Sequence, residues 1–155
     1  MNEKSLAVAQ YILSQRIQVG DQVTPMQLIK LVYIAEGIML GRNGRSLINE
    51  RVEAWEYGPV IRSVYHAVRE FRSNPVSYVP GANPNYPFNH DEIEVMNAVA
   101  RSYGPHDGIR LSAATHQPGT PWSQTWEGLG RNGTISTDII ENHYSRLLNG
   151  NTTGL

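Results

Sequence analysis

The stretch PMQLIKLVYIAEGIML, residues 25 to 40, constrains this chain more than any other. Leu28, Leu31, Val32, Ala35, Ile38 and Met39 fall on one stripe at the 3.6-residue period. The opposite side is not freely polar: it carries Ile29, Tyr33 and Gly37, with Lys30 among them. A helix apolar around most of its circumference has to be surrounded, so the remaining elements must be arranged about it. Thr24 suits its N-cap, Pro25 its first position, and Gln27 the acceptor of a capping box. Gly37, lacking a side chain, lets another element come close.

The rest of the chain supplies that surround. Helical stripes run through Glu3–Arg16 (Leu6, Ala9, Ile12, Leu13 and, less cleanly, Tyr11) and Pro59–Arg72 (Val60, Val64, Ala67, Val68, Phe71). Asn89, with Glu92, caps a third helix through Ile93, Met96, Val99, Ala100 and Tyr103, which Gly104 ends. A last helix starts at Ser136 or Thr137, with Ile139, Ile140, His143, Tyr144, Leu147 and Leu148 on its apolar side. Residues 107–126 read as a short helix, a Pro/Gly turn and a second short turn of helix. GRNGRS (41–46) is turn material, and LINERVEAWEY alternates enough for a short strand or hairpin arm. Residues 73–88 contain four prolines and read as an irregular surface loop pinned by its Tyr, Val and Phe side chains. The expectation is a mainly α fold, α+β only through a minor two- or three-stranded β element. Five to seven helices surround the central apolar helix at 24–40. One domain spans 1–149, with a flexible tail at 150–155.

With 155 residues and a formal charge of -1, the chain has the size of a single domain and lacks the basic excess of a protein that grips nucleic acid through phosphates. It has no cysteine, which removes disulfides, Cys-ligated zinc and thiol nucleophiles together. The first sixteen residues hold no apolar run of signal or membrane-spanning length, so a cytoplasmic protein is expected.

The most distinctive stretch is EAWEYGPVIRSVYH, residues 53–66. Gly58 opens backbone angles closed to other residues, and Pro59 pre-sets a first helical turn, so together they turn an extended arm into a helix. Trp55 is expected in the core. Opposite the apolar stripe of that helix lie Arg62, Tyr65, Arg69 and Arg72, residue types enriched at interface hot spots. The plain alternative is a solvated helix face. THQPGTPW (115–122) is the second unusual stretch: His116 ends a helix, and Trp122 and Trp126 stand one turn apart. It reads as an aromatic clasp on the central helix, or as a border of the same surface as the corner.

Catalytic patterns are weak. His90-Asp91 and His106-Asp107 are His-Asp pairs at element boundaries, without the further ligands of a metal phosphohydrolase. Ser112, His116 and Asp107 or Asp91 form no recognisable triad signature, and GRNGRS lacks the spacing and lysine of a phosphate loop. No catalytic residue, metal or cofactor is expected.

Three segments together, TPMQLIKLVYIAEG, INERVEAWEYGPVIRSVY and LSAATHQPGTPW, resemble in order and spacing the Panacea domain family, which includes GepA-like phage-associated proteins and SocA-type antitoxins. The likeness runs from about Thr24 to Trp122, with A-W-x-Y-G-P-V at its centre. It implies an antitoxin-like protein, often carried on prophages or mobile elements, that binds a cognate toxin, with a protease or chaperone as a further partner. Inhibition is then either direct or by delivery for proteolysis. Arg62, Tyr65, Arg69 and Arg72 are the expected partner-binding residues, with Lys30, Tyr57, His116 and Trp122 contributing. Thr24, Pro25, Trp55, Gly58, Pro59 and Pro121 are read as shaping the fold. A phage protein that binds a host factor without a toxin is the rival reading, and a hydrolase with an unseen site a further one.

Overall fold

Burial runs without a break from Gln27 to Leu40, so the helix that must be surrounded is surrounded. The computed structural model describes residues 2–155. Among them are seven helices: α1 (Glu3–Gln18), α2 (Pro25–Asn43), α3 (Arg62–Val68), α4 (His90–Ser102), α5 (Gly108–Thr115), α6 (Pro121–Leu129) and α7 (Thr137–Leu148). Three short strands, β1 (Val52–Trp55), β2 (Gly58–Val60) and β3 (Gly133–Ile135), form an antiparallel sheet in the order β2-β1-β3. The architecture is therefore mainly helical with a minor sheet, as the patterning implies. No helix among the described residues is long and apolar enough to cross a membrane.

Helix α2 starts as its sequence dictates. The Thr24 hydroxyl accepts from the Gln27 N–H at 3.3 Å, and the Gln27 side chain accepts from the Thr24 N–H at 2.8 Å. Helices α1, α4, α5 and α7 pack around it. Helix α7 crosses at two glycines. A Cβ at Gly37 would clash with the edge of the Tyr144 ring, and one at Gly41 would lie 2.7 Å from the Tyr144 backbone. The close approach expected at Gly37 thus extends a turn further. Helix α2 also runs through Gly41–Asn43, residues read as turn, and ends only where Gly44 takes a left-handed φ of 70°. The buried Glu36 carboxylate then accepts the Leu47 N–H at 2.6 Å and the Ile48 N–H at 3.3 Å, fixing the turn that follows.

Two further expectations change. Gly58 and Pro59 do not start a helix: they lie in β2, where Pro59 pairs with Ala54. A proline cannot donate to a ladder, and β2 is an edge of this sheet, where a missing donor costs least. Helix α3 begins only at Arg62, after an Ile61 that offers no side-chain cap, and tightens into a 3-10 turn at Arg69–Phe71. The segment read as a flexible tail is likewise held. Leu155 is buried, its N–H donates to the Ala114 carbonyl at 2.8 Å, and its carbonyl accepts from the Tyr33 and Tyr144 hydroxyls at 3.2 and 2.9 Å.

The proline-rich stretch is irregular and pinned as expected. Val76 and Val79 are buried, the Val79 N–H donates to Gln10 at 2.8 Å, and the Phe88 ring meets the edge of Tyr11.

Candidate functional site

The β1–β2 hairpin turns at Glu56 and Tyr57, and its two sides carry different chemistry. Glu53 and Trp55, two residues apart, share a face, and the indole Nε1 donates to Glu53 Oε1 at 3.0 Å. From the start of α3, Arg62 donates twice to the same carboxylate, Nε to Oε2 at 3.1 Å and Nη2 to Oε1 at 2.9 Å. Arg51 Nε adds a fourth contact at 3.2 Å. Burial alone would raise the Glu53 carboxyl, but the hydrogen bonds from Arg62, Trp55 and Arg51 outweigh it and hold the group below its ordinary range. The Arg62 guanidinium also lies 5.7 Å over the Trp55 ring, and Tyr65 meets that ring edge-on at 4.8 Å. Trp55 is consequently half-buried, a shared platform rather than a core residue.

Beneath the hairpin, Lys30 rises from α2 and is 3% exposed. Its Nζ donates to the Pro59 carbonyl at 3.1 Å. Burial pulls its pKa down to about 7. Gly58 is required here twice over: its φ is 119°, and a Cβ would stand 2.9 Å from Lys30 Nζ and 3.2 Å from Thr115 Oγ1.

Above Lys30 opens a cavity of about 340 Å³, walled by Met26, Ile29, Val60, Trp55, Tyr57 and Tyr65, with Glu56, Arg131 and Asn132 at its border. Arg131 reaches across to Glu56 at 3.5 Å. Tyr57 at the hairpin tip is 67% exposed and Met26 42%, so the mouth is an apolar patch on the surface.

The second unusual stretch braces this hairpin. Trp122 Nε1 donates to the Trp55 carbonyl at 2.6 Å, and Ser112 Oγ donates to the Tyr57 carbonyl at 2.7 Å. Trp122 stacks on Trp126 at 5.2 Å and meets His116 at 5.3 Å. The aromatic clasp therefore closes on the hairpin and not on the central helix. Pro121 opens α6 behind the Thr120 cap, whose hydroxyl accepts from the Ser123 N–H at 3.3 Å.

Of the residues singled out for partner binding, Lys30, Tyr57 and Tyr65 line the cavity. Arg62 adjoins it behind Trp55, while His116 and Trp122 form the brace. Arg69 and Arg72 are exposed but do not extend one helical face with Arg62 and Tyr65. Helix α3 ends at Val68, and Arg72, at φ 58°, leaves the helical path. Glu53, Met26, Arg131 and Asn132 were not marked by the sequence patterns. Arg131 and Asn132 lie in the turn before β3, a strand too short to show a period.

The hydrolytic alternatives find their residues engaged elsewhere. Asp91 pairs with Arg45 at 2.7 Å, Asp107 caps α5, and Ser112 Oγ is turned to the hairpin carbonyl. Among the described residues no group of three or more His, Cys, Asp or Glu could hold a metal.

The profile of the family described as "Antitoxin SocA-like, Panacea domain" matches residues 28–123, more than half of the chain. The chain belongs to this family. It is also 30% identical over 149 residues to Antitoxin SocA of Caulobacter vibrioides (strain NA1000 / CB15N), covering 87% of this chain and 77% of that protein. No solved structure matches. The Panacea match takes in most of α2, the hairpin, α3 and the Trp122 brace; β3 and α7 fall outside it.

Proposed function

We propose that this chain is an antitoxin that binds a co-encoded protein toxin and neutralises it, and that the hairpin tip and the neighbouring start of α3 are its binding surface. The observation that carries the reading is the family match, which spans that surface, together with the relative named Antitoxin SocA. The surface suits such a role physically. Tyr57, Tyr65 and Met26 offer apolar area at a rigid corner, Arg62 is fixed in place by Glu53, and Arg69 and Arg72 add exposed charge beside it. Rigidity matters because an ordered surface loses less entropy on association. Neutralisation proceeds by holding the toxin or by passing it, through the same contact, to a protease.

Co-expression tests the reading. A protein encoded beside this chain should arrest growth when expressed alone, be rescued by this chain and co-purify with it. Replacing Arg69 and Arg72 together by alanine should weaken rescue without lowering the melting temperature. Neighbouring products that are harmless alone and never co-purify would reject the antitoxin reading.

A further inference from the structure

Lys30 is 3% exposed, and the structure gives its Nζ one hydrogen bond, to the Pro59 carbonyl. An ammonium carries three donors. Two are therefore without a protein partner among the described residues, in a place where an unpaired charge is costly. The charged groups nearby are committed to one another. Glu56 pairs with Arg131 at the cavity border, and Glu53 pairs with Arg62 behind Trp55. Ser112 and Thr115, from α5, are uncharged and bonded to carbonyls.

The walls narrow the class of ligand that could complete Lys30. Met26, Ile29, Val60 and three aromatic rings make the walls largely apolar, which strengthens any ion pair formed against them. A purely apolar ligand would seal the amine away with only the Pro59 carbonyl to accept its protons. A phosphate needs several donors, and this floor supplies a single amine with no arginine fork or run of free backbone N–H groups. One carboxylate on an apolar group satisfies both floor and walls. A volume of about 340 Å³ is at the small end of ligand sites, enough for one aromatic or branched side group with its acid. The mouth lies between exposed Tyr57 and Met26, on the surface assigned above to the partner.

We propose that the cavity above Lys30 receives a carboxylate carried on an apolar group, inserted by the protein partner. The identity of the donor rests on the antitoxin reading; the chemistry of the socket does not.

The chain contains two lysines, Lys4 and Lys30, so lysine labelled with ¹³C at Cε gives Lys30 a resolvable NMR signal. Protein so labelled is titrated with 3-phenylpropanoate and with the isosteric 3-phenylpropanamide. The acid is expected to shift the Lys30 signal, to raise its titration midpoint, and to bind at least tenfold more tightly than the amide. Met26→Glu, which places a carboxylate at the mouth in cis, is expected to reproduce the midpoint rise and to block the added acid. Equal binding of acid and amide, or an unmoved Lys30 signal, would overturn the socket.

The second arm measures capture of the neighbouring toxin by wild type and by Lys30→Met, with Met26→Glu as a second variant should Lys30→Met fail to fold. An at least tenfold loss of capture with an unreduced melting temperature supports insertion by the partner. Unchanged capture beside a positive acid titration overturns the partner as donor and assigns the socket to a free small acid. If no neighbouring protein is captured by wild type, the antitoxin reading and the donor assignment fall together, while the first arm still decides the socket.

Discussion

Arg62 and Glu53 meet through two parallel hydrogen bonds, and the Glu53 side chain they hold is 2% exposed. An arginine that helical periodicity places on a free basic face is thus part of the hairpin's anchorage. Its exposed neighbours have no such partner: Arg69 and Arg72 make no ion pair among the described residues. Arg62→Ala is therefore expected to lower the melting temperature by several degrees, and Arg69→Ala and Arg72→Ala to leave it unchanged, as read by differential scanning fluorimetry. The acid limb gives a second check. The folded Glu53 pKa is depressed, so its contribution is present above the ordinary carboxylate value of 4.5 and is lost as pH falls through the lower folded value. The gap in melting temperature between wild type and Glu53→Gln should shrink on acidification over that range.

The crossing of α2 and α7 predicts opposite signs for one substitution. Alanine normally gains about 1 kcal/mol over glycine inside a helix. At Gly37 the new methyl would clash with the Tyr144 ring, and overpacking of this kind costs about 1–3 kcal/mol. Gly128 in α6 has nothing within 4 Å of the same methyl. Urea denaturation should show Gly37→Ala destabilised by about 1 kcal/mol and Gly128→Ala stabilised by about 0.5 kcal/mol.

What could be read from the chain was local. Thr24 with Gln27 and Asn89 with Glu92 announce helix starts because a capping box is written within four residues, and both form. The central helix was legible because its apolar residues overflow one stripe. The corner misled for a physical reason: Gly-Pro fits a first helical turn and an edge strand equally well, and what decides is pairing with β1, itself held on its other side by the distant β3. The tail misled in the same way. NGNTTGL has no periodic signal, and the acceptors that its end supplies belong to Tyr33, 122 residues away, and to Tyr144. Lys30 is legible as a charge on a helix apolar around most of its circumference, but its cavity is assembled from four separate segments and has no sequence signature of its own.

The docked tail makes its own prediction. Removing Gly154 and Leu155 takes the acceptor from the buried Tyr33 and Tyr144 hydroxyls and from His143, whose Nε2 lies 3.0 Å from the Gly154 carbonyl. An unsatisfied buried donor costs about 1–3 kcal/mol, and the apolar contact of Leu155 is lost as well. The shortened chain should be at least about 2 kcal/mol less stable in urea. Both tyrosines, whose ionisation burial already suppresses, should become accessible to iodination.

Lys30 should leave its mark on the pH dependence of folding. Its pKa is about 7 in the folded chain against 10.5 ordinarily, because burial disfavours the ammonium. Between those two values the unfolded chain binds a proton that the folded chain does not, so stability rises with pH across that window. At its steepest the slope is about 1.4 kcal/mol per pH unit. Below pH 7 both states are protonated and the buried charge exacts its full penalty, so Lys30→Met is expected to be most stabilising there, relative to wild type. That advantage should decline steadily as pH rises from 7 towards 10.5. Subtracting the two urea-derived stability profiles removes the titrations common to both proteins and isolates this group. A flat difference profile would mean that Lys30 keeps its proton in the folded chain, and that something other than solvent exclusion governs the amine beneath the hairpin.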